Sequence, residues 1–488
     1  MKRSLKFLTL LLVSAFVFQS CEKDDNEVPA DVEVNNFVWK GLNLYYLWQA
    51  NVPDLSDSRF GNQKDLNGYL RGYSNPAFLF DQLLYQPSSR FPQDEAVDRF
   101  SVIFSDYYEL EGILSGTTKN NGADFALYYK DDTQYEIVGV VRYILPGSDA
   151  ASKDIQRGDI FYAINGQTLN IDNYRNLLSA DLYTMNLANY DDGDFTPNGE
   201  SVSLTKTVLS ENPVYLTNVI NDGGHKIGYL MYNGFYPNYE AQLNNAFGQL
   251  KAAGITELVL DLRYNSGGSI ATASRLASMI TGQFTGQVFA KEQWNAKIEA
   301  YYQENDPATL FNLFPNTMGN NAPINSLNLS KVYVLTTKAT ASASELVING
   351  LEPYIDVVQI GDATTGKNVG SITLYDSPAF TKSGASTNHR YAMQPLVLKI
   401  INAAGFGDYI NGLPPDELLK EDLGNMGTLG NADEPLLNAA ITRIVGGGRS
   451  MPRHQETNFK ILKDNRLIHP LKSEMYLEKL PDGFSNIR

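Results

Sequence analysis

The pattern of hydrophobic and polar positions divides most of the chain into three stretches with different periodicity. Apolar residues recur at helical spacing over 35–112, whereas 113–208 is strand-like and contains a tight-turn signal at Asn165-Gly166. Over 209–450, buried-strand and helix patterns alternate, as in the continuous apolar run "ITELVLDL" at 255–262. We therefore predict a multidomain α+β and α/β protein with an N-terminal helical domain, a β-rich domain and an α/β core.

The two ends of the chain fall outside these patterns. Residues 1–20 have basic residues, a short apolar run and small residues in the order of a secretory signal peptide, and the run is too short to span a membrane well. Residues 21–34 are polar and acidic, which indicates a disordered tether. Residues 451–488 match no motif and are treated as a C-terminal extension.

Cys21 is the only cysteine and directly follows the apolar run. The segment from Phe18 to Cys21 resembles a bacterial lipobox, which implies that a lipid on Cys21 anchors the chain to a membrane. A free structural thiol is the alternative. We expect a location in the bacterial cell envelope, at the outer membrane, facing either the periplasm or the outside. An exported chain with one cysteine has no intramolecular disulfide, so its stability must come from core burial.

The charge balance limits the partners. The net charge is −16, with no cluster of Lys and Arg, which argues against nucleic acid or an anionic bilayer surface as a partner. No His, Cys or carboxylate spacing is typical of a metal site, and no cofactor is expected.

Three loops in the 209–450 region are predicted to meet. A Gly-rich loop at 263–269, a serine-rich stretch at 338–344 and a loop at 361–367 each follow a predicted strand. Strands joined by crossover helices run parallel, and the loops at their carboxyl ends gather on one edge of the sheet. This edge is therefore the predicted functional site.

The residue types in these loops suit nucleophilic catalysis. Ser342 begins a predicted helix, where N–H groups stabilise developing negative charge, and Lys367 becomes a base if burial lowers its pKa. The backbone N–H of Ala343, with one from Gly267 or Gly268, would hold the oxyanion. A helix cap and a solvated lysine are the structural alternatives. The lone acid Asp261 is predicted to pair with Arg263 or to cap a turn, and His389 is kept as an outside candidate for the base.

The stretch "LPGSDAASKDIQRGDI" at 145–160, followed by Ile164-Asn165-Gly166, resembles a PDZ domain of the bacterial protease type. The resemblance implies that the loop Gly122, Ala123, Asp124, Phe125 binds the terminal carboxylate of a peptide, which adds a strand to the sheet. The like charge of Asp124 disfavours such binding. A β-rich domain that binds nothing is the alternative.

The motifs "LVLDLRYNSGGS", "TKATASASELVING" and "GDATTGK" together resemble the S41 family of C-terminal processing serine peptidases, as does the late segment 411–416. The family pattern places the nucleophile at Ser342 and the general base 25 positions later, at Lys367. The resemblance also implies a ββα superhelix core like that of ClpP and crotonases, with no metal.

Two positions depart from the family pattern. Many relatives carry Gln four residues after the lysine, where this chain has Ser371, and some carry Asp where this chain has Pro353. Ser371 is predicted to support the dyad through a hydrogen bond to the lysine. We expect the two departures to alter the tuning of the dyad more than to abolish activity. They are also the best evidence for the alternative, a catalytically weak or inactive peptide-binding lipoprotein that keeps the protease fold.

The resemblance thus predicts an exported, lipid-anchored serine endopeptidase that acts near protein C-termini through an acyl-enzyme. Its partners would be polypeptides with unstructured C-termini. A glycan-binding surface built on Trp39 and Trp48 is a third reading, although aromatic residues at helical spacing are typical of a core.

Overall fold

The computed structural model describes residues 27–446, 460–464 and 475–480. Residues 1–20 and Cys21 lie outside the described residues, so the signal peptide and the lipid anchor stay predictions. The chain forms two compact units, divided between Arg99 and Phe100. No helix in the described ranges is long and apolar enough to cross a membrane.

The first unit is helical, as predicted. The first helix buries Phe37, Val38 and Leu42 along one face, and an Asn side chain caps each of the next two helices. Val32 is buried and lies in a short 3-10 helix at Ala30–Val32, so the predicted disordered tether 21–34 is ordered in its last residues. The helices are α1 (Glu33–Tyr45), α2 (Gln63–Leu70) and α3 (Pro76–Gln82).

Trp39 and Trp48 each pack against another aromatic ring of this unit. The Trp39 indole N–H donates to the Asp54 carbonyl at 2.7 Å, and its ring meets Phe60 edge to face. Trp48 packs in the same way on Tyr46. These contacts favour a core role over a glycan-stacking surface.

The second unit begins before the boundary predicted at residue 112. Helix α4 (Tyr107–Leu114) and strand β1 (Val102–Phe104) belong to this unit, and Leu110 and Phe104 share one apolar cluster there.

A β-rich domain follows. Its core is filled by inward-facing residues such as Phe125, Leu127 and Phe161, and helix α5 (Tyr174–Ser179) adds Leu178. Neighbouring strands of its main sheet pair antiparallel. The strands are β2 (Thr117–Asn120), β3 (Ala123–Tyr129), β4 (Ile137–Ile144), β5 (Ile160–Ile164), β6 (Gln167–Thr168), β7 (Leu182–Asp191), β8 (Asp194–Thr205) and β9 (Thr207–Ser210).

The α/β core contains a six-stranded sheet that is parallel from its second strand onward. Its central strands are buried, as the apolar run at 255–262 predicts. The strands, in spatial order, are β10 (Val214–Asp222), β11 (His225–Tyr232), β12 (Glu257–Asp261), β16 (Lys331–Thr336), β17 (Asp356–Gly361) and β22 (Glu417–Leu418). The helices are α6 (Glu240–Ala253), α7 (Ile270–Thr281), α8 (Ala296–Asn305), α9 (Ala343–Leu351) and α10 (Pro435–Val445).

A second six-stranded sheet completes the core, and the C-terminal extension contributes to it. Strand β24 (Met475–Leu477) lies between β13 (Gly268–Ser269) and β18 (Val369–Ile372). A further C-terminal strand, β23 (Ile461–Asp464), joins the edge of the β-rich domain at β3. This sheet also contains β14 (Val288–Trp294), β15 (Phe311–Leu313) and β21 (Leu396–Asn402). Strands β19 (Leu374–Tyr375) and β20 (Ala392–Gln394) form a separate three-stranded sheet with β1.

Candidate active site

Ser342 is held in a strained backbone conformation immediately before helix α9. Its φ is 66° and its ψ is −113°, a region that residues with a side chain rarely adopt. The residue is fully buried, and its Oγ makes no hydrogen bond with the described residues. Strained backbone and an unsatisfied buried hydroxyl are each costly, and such features concentrate at functional sites.

The carboxylate of Glu345 joins the serine loop to the lysine loop. Glu345 Oε2 accepts the backbone N–H of Ser342 at 2.7 Å and that of Lys367 at 2.9 Å. Glu345 Oε1 accepts the N–H of Gly366 at 2.6 Å and the hydroxyl of Thr364. Burial raises the pKa of Glu345, and these hydrogen bonds oppose that rise. A buried acceptor with four donors fixes both loops in one arrangement.

Glu345 is a residue that the sequence reasoning missed. The signal was present, because a Glu three residues after a Ser at a helix start is the spacing of a capping box. In the structure the carboxylate accepts the Ser342 N–H, as in a capping box, and also reaches across to the neighbouring loop.

Lys367 is almost completely buried, with 3% of its surface exposed. Its ammonium lies 4.8 Å from the centroid of the Phe100 ring. The lysine is therefore buried, with its ammonium beside an aromatic ring, on the loop that Glu345 joins to the serine.

The Gly-rich loop contacts the serine loop through Asn265. The Asn265 carbonyl accepts from the Ala341 N–H at 3.0 Å and from the Ser344 hydroxyl at 3.1 Å. The Thr340 hydroxyl donates to the Leu262 carbonyl at 2.9 Å, so both neighbouring hydroxyl residues serve structure. The predicted convergence of the three loops is confirmed by these contacts and by the Glu345 bonds.

The three predicted oxyanion donors differ in their surroundings. The Gly267 N–H donates to the Asn265 side chain at 2.9 Å. Gly268 has φ +140° and pairs with Phe235 and Met475, and a Cβ there would lie 2.4 Å from the Phe235 carbonyl oxygen. Ala343 begins helix α9, where the first N–H groups have no acceptor within the helix. The Gly267 N–H is thus engaged, whereas Ala343 lies at the N-terminal end of helix α9.

Both ring nitrogens of His389 contact other residues. Its Nε2 lies 3.0 Å from Asp376 Oδ2, and its Nδ1 accepts the Tyr391 N–H at 3.1 Å. With both ring nitrogens engaged, the imidazole has no free position from which to deprotonate a serine.

Ser371 is buried on β18 and pairs with an amide that the sequence did not indicate. Its hydroxyl donates to Gln394 Oε1 at 2.6 Å, with the Met475 carbonyl at 3.2 Å. Gln394 is 1% exposed and donates in turn to the Thr373 hydroxyl at 2.7 Å. A buried glutamine side chain therefore lies beside the position where many family members carry Gln, although it comes from another strand.

Asp261 pairs with Arg263, as predicted, within a larger buried ion network. The Arg263 guanidinium lies 2.8 Å from Asp261 and 2.6 Å from Glu434, and it is fully buried. Glu421 accepts from Arg157 of the β-rich domain at 2.7 Å. Burial opposes ionisation of Glu421, but the charges of Arg157 and Arg263 outweigh it and lower its pKa to about 2. The network thus joins the β-rich domain to the loop after β12.

The predicted peptide loop at 122–125 has its polar groups engaged. The N–H groups of Gly122 and Ala123 donate to the side chains of Asn120 and Asn121, at 2.8 and 3.1 Å. Asp124 forms a buried ion pair with Arg142 at 2.6 Å, which neutralises the charge that disfavoured a carboxylate ligand. Phe125 packs edge to face on Phe161 in the domain core.

Two family models match the chain. The model described as peptidase family S41 matches residues 226–381, and the peptidase S41 N-terminal domain matches residues 33–102. The first contains all three loops of the site.

Relatives of known name and a solved structure agree with these models. The carboxyl-terminal-processing protease of Picosynechococcus sp. is 28% identical over 169 residues, which is 35% of this chain and 36% of that protein. The protein of the same name from Synechocystis sp. is 24% identical over 311 residues, 62% of this chain and 64% of that protein. The chain thus spans less than two thirds of the length of these curated relatives.

A putative S41 protease from Bacteroides fragilis has a similar structure. The TM-score is 0.64 at 27% identity, and the match covers 86% of this chain and 98% of that chain. The helical first domain and the α/β core are therefore shared with a solved member of the family. The chain thus contains a peptidase family S41 domain at 226–381, preceded by a peptidase S41 N-terminal domain at 33–102, and its fold is similar to that of a solved S41 protease.

Proposed function

We propose that this protein is a serine endopeptidase that hydrolyses peptide bonds near the C-termini of polypeptides through a Ser342–Lys367 dyad. One observation carries the proposal: a strained, buried serine and a buried lysine donate their backbone N–H groups to the same carboxylate oxygen. The names of the cyanobacterial relatives support carboxyl-terminal processing as the reaction.

The chemistry begins with a neutral Lys367. Burial disfavours the charged form of an amine, and this lysine is 3% exposed. Its Nζ accepts the proton from Ser342 Oγ as the oxygen forms a bond to the scissile carbonyl carbon. The lysine then gives the proton to the leaving amine, which departs as the C–N bond breaks and an acyl-enzyme remains. A water molecule, deprotonated by Lys367, hydrolyses the ester and regenerates the serine.

The N–H groups of Ala343 and Gly268 are the proposed donors to the oxyanion. Glycine at 268 allows the backbone to approach the substrate closely, and the first turn of α9 adds the positive end of a helix dipole. Removal of one such donor typically lowers kcat by about 10²–10³-fold.

The β-rich domain is proposed to act as a PDZ-like module that captures an unstructured tail and delivers it to the core. The motif at 145–160 and the antiparallel sheet of 117–210 support this role. A lipid on Cys21 is proposed to hold the enzyme at the bacterial cell envelope, on the evidence of the lipobox-like segment alone.

Mass spectrometry of unfolded test proteins after incubation with the full chain tests this function. We expect new peptides that end near the substrate C-termini, and none with the Ser342→Ala variant. Identical peptide maps for the wild type and Ser342→Ala would contradict the proposal.

A further inference from the structure

We propose that residues 460–464 are an intramolecular ligand of the β-rich domain, occupying the sheet edge at which a substrate tail would bind until that tail displaces them. The inference rests on the proposed function, because it assigns a substrate-binding edge and its regulation to the same enzyme. It concerns the C-terminal extension, to which neither the sequence motifs nor the family models assign a role.

The occupied edge is strand β3. In the six-strand path of this sheet, β23 lies outside β3, so β3 would be the edge strand without the C-terminal residues. The two strands pair antiparallel, with Ile461 opposite Tyr128 and Asp464 opposite Ala126. The Tyr129 N–H donates to the Lys460 carbonyl at 3.0 Å. This is the geometry by which an extended peptide adds a strand to an exposed sheet edge.

The two side chains of the added strand that the structure describes differ in burial, as neighbouring side chains of a bound strand do. Leu462 is half-buried and packs against the apolar cluster that contains Phe125, Leu127 and Leu178. Ile461, the preceding residue, is 44% exposed. In strand addition, main-chain hydrogen bonds supply affinity and pockets for alternate side chains supply specificity. Leu462 is therefore the anchor of this segment.

The attachment of β23 to the sheet is short and irregular. Strand β23 has four residues, and its register shifts between Ile461 and Lys463. By contrast, β24 is held firmly, since Met475 is fully buried and pairs with Gly268 beside the candidate oxyanion donors. The Glu478 carboxylate also accepts from the Ser269 hydroxyl at 2.6 Å. One part of the extension is thus fixed at the active-site sheet, and the other lies on a replaceable edge.

The geometry also defines the class of polypeptide that fits. Asparagine side chains accept the N–H groups of Gly122 and Ala123, so an added strand can bind the backbone of β3 and the apolar cluster that Leu462 contacts. We therefore infer that the edge takes an extended segment with a leucine-like aliphatic anchor, with no need for a free terminal carboxylate.

The internal ligand sets a threshold for substrates. A segment in the same chain binds at an effective concentration on the order of mM. A substrate tail must bind the β3 edge more strongly than residues 460–464 do at this effective concentration. We therefore expect a segment without an aliphatic anchor not to displace them.

Peptide binding to the full chain in the Ser342→Ala background tests the inference without catalysis. The probe is a fluorescein-labelled peptide of residues 457–466, TNFKILKDNR, followed by fluorescence anisotropy. We expect Leu462→Asp in the chain to bind the probe at least tenfold more tightly than the parent, because the internal segment is released. Leu462→Ala should act in the same direction with a smaller change.

Ile461→Asp is the matched control, because it places the same charge on the outward side of the same strand. Its affinity for the probe should stay within about twofold of the parent. Equal probe affinity in the parent, Leu462→Asp and Leu462→Ala would overturn the inference.

These experiments distinguish a failure of the peptidase assignment from a failure of the internal-ligand proposal. If the enzyme cleaves no polypeptide but Leu462→Asp still gains probe affinity, the peptidase assignment fails and the internal ligand stands. If the enzyme with Ser342 intact cleaves polypeptides but the Leu462 variants gain no affinity, the internal ligand fails alone.

Discussion

Ser342 and Lys367 donate their backbone N–H groups to one atom, the Oε2 of Glu345, at 2.7 and 2.9 Å. The two residues are 25 positions apart in the chain, and the shared acceptor fixes the spacing of their backbones. The geometry of the proposed dyad therefore depends on a third side chain that takes no part in the proposed proton transfers.

Replacement of Glu345 tests this dependence. In Glu345→Gln one carboxylate oxygen becomes an NH2 group, which donates hydrogen bonds and accepts none. Two of the four donors to this side chain therefore lose their acceptor. We expect kcat to fall by about 10²-fold, the scale of a misplacement of about 1 Å, while KM for a peptide substrate changes little. Steady-state kinetics at saturating and limiting substrate would separate the two constants.

Glu352→Gln is the matched control, since Glu352 lies directly after the same helix and is exposed. It should keep the wild-type kcat. A Glu345→Gln enzyme with wild-type kcat would show that the shared acceptor is dispensable.

Loss of the Glu421 carboxylate from the buried ion network should lower the stability of the protein at neutral pH. The pKa of Glu421 in the folded protein is about 2, below the value of about 4.3 for an unfolded glutamate. Its contribution is therefore present above pH ~4.3 and is lost as the pH falls toward 2. Glu421→Gln should lower the free energy of unfolding by about 3 kcal/mol at pH 7, because breaking a buried pair leaves Arg157 and Arg263 undercompensated.

Urea unfolding at pH 7 and pH 3 measures this effect. The deficit of Glu421→Gln relative to the wild type should shrink at pH 3. A deficit that stays constant across this range would mean that the charge of Glu421 is not its source.

The contribution of Glu292 to the stability of the folded protein should depend on pH in the opposite direction. Burial raises its pKa to about 7, although Asn312 and the Trp294 indole donate hydrogen bonds that oppose the rise. The folded state therefore holds this proton more tightly, so stability is highest below pH ~4.3 and falls as the pH rises through 7. As the pH rises from 4 to 8, the free energy of unfolding of Glu292→Gln should increase by about 3 kcal/mol relative to that of the wild type.

Thermal or urea unfolding of both proteins across this range checks the sign. If the difference between Glu292→Gln and the wild type does not change with pH, the carboxyl is not protonated in the folded protein near pH 6.

The parts of the site that lie within one loop could be predicted from the sequence. Ser342 and Lys367 each stand in a local motif after a buried strand, and parallel topology then brings the loops together. Glu345 gave a local signal as part of a capping-box spacing, but its second task depends on a tertiary contact 22 residues away in the chain. Gln394 and Glu421 reach the site from other strands and loops, where no spacing rule applies.

The ends of the domains were harder to predict for a different reason. The short strands β23 and β24 have four and three residues, too few to show a period, so 451–488 carried no recognisable pattern. The last residues of the predicted tether become helical because Val32 is buried, and burial cannot be read from a short polar segment. The lipid anchor on Cys21 remains a prediction from the N-terminal sequence.

The central claim is that Lys367 is the base that activates Ser342. The most direct measurement is the turnover of an unfolded test protein by the wild type, Lys367→Ala and Ser342→Ala, each checked for an unchanged fold by circular dichroism. We predict that both variants lose at least about 10³-fold in kcat/KM, because each removes one member of the dyad. Turnover by Lys367→Ala close to that of the wild type would contradict the account.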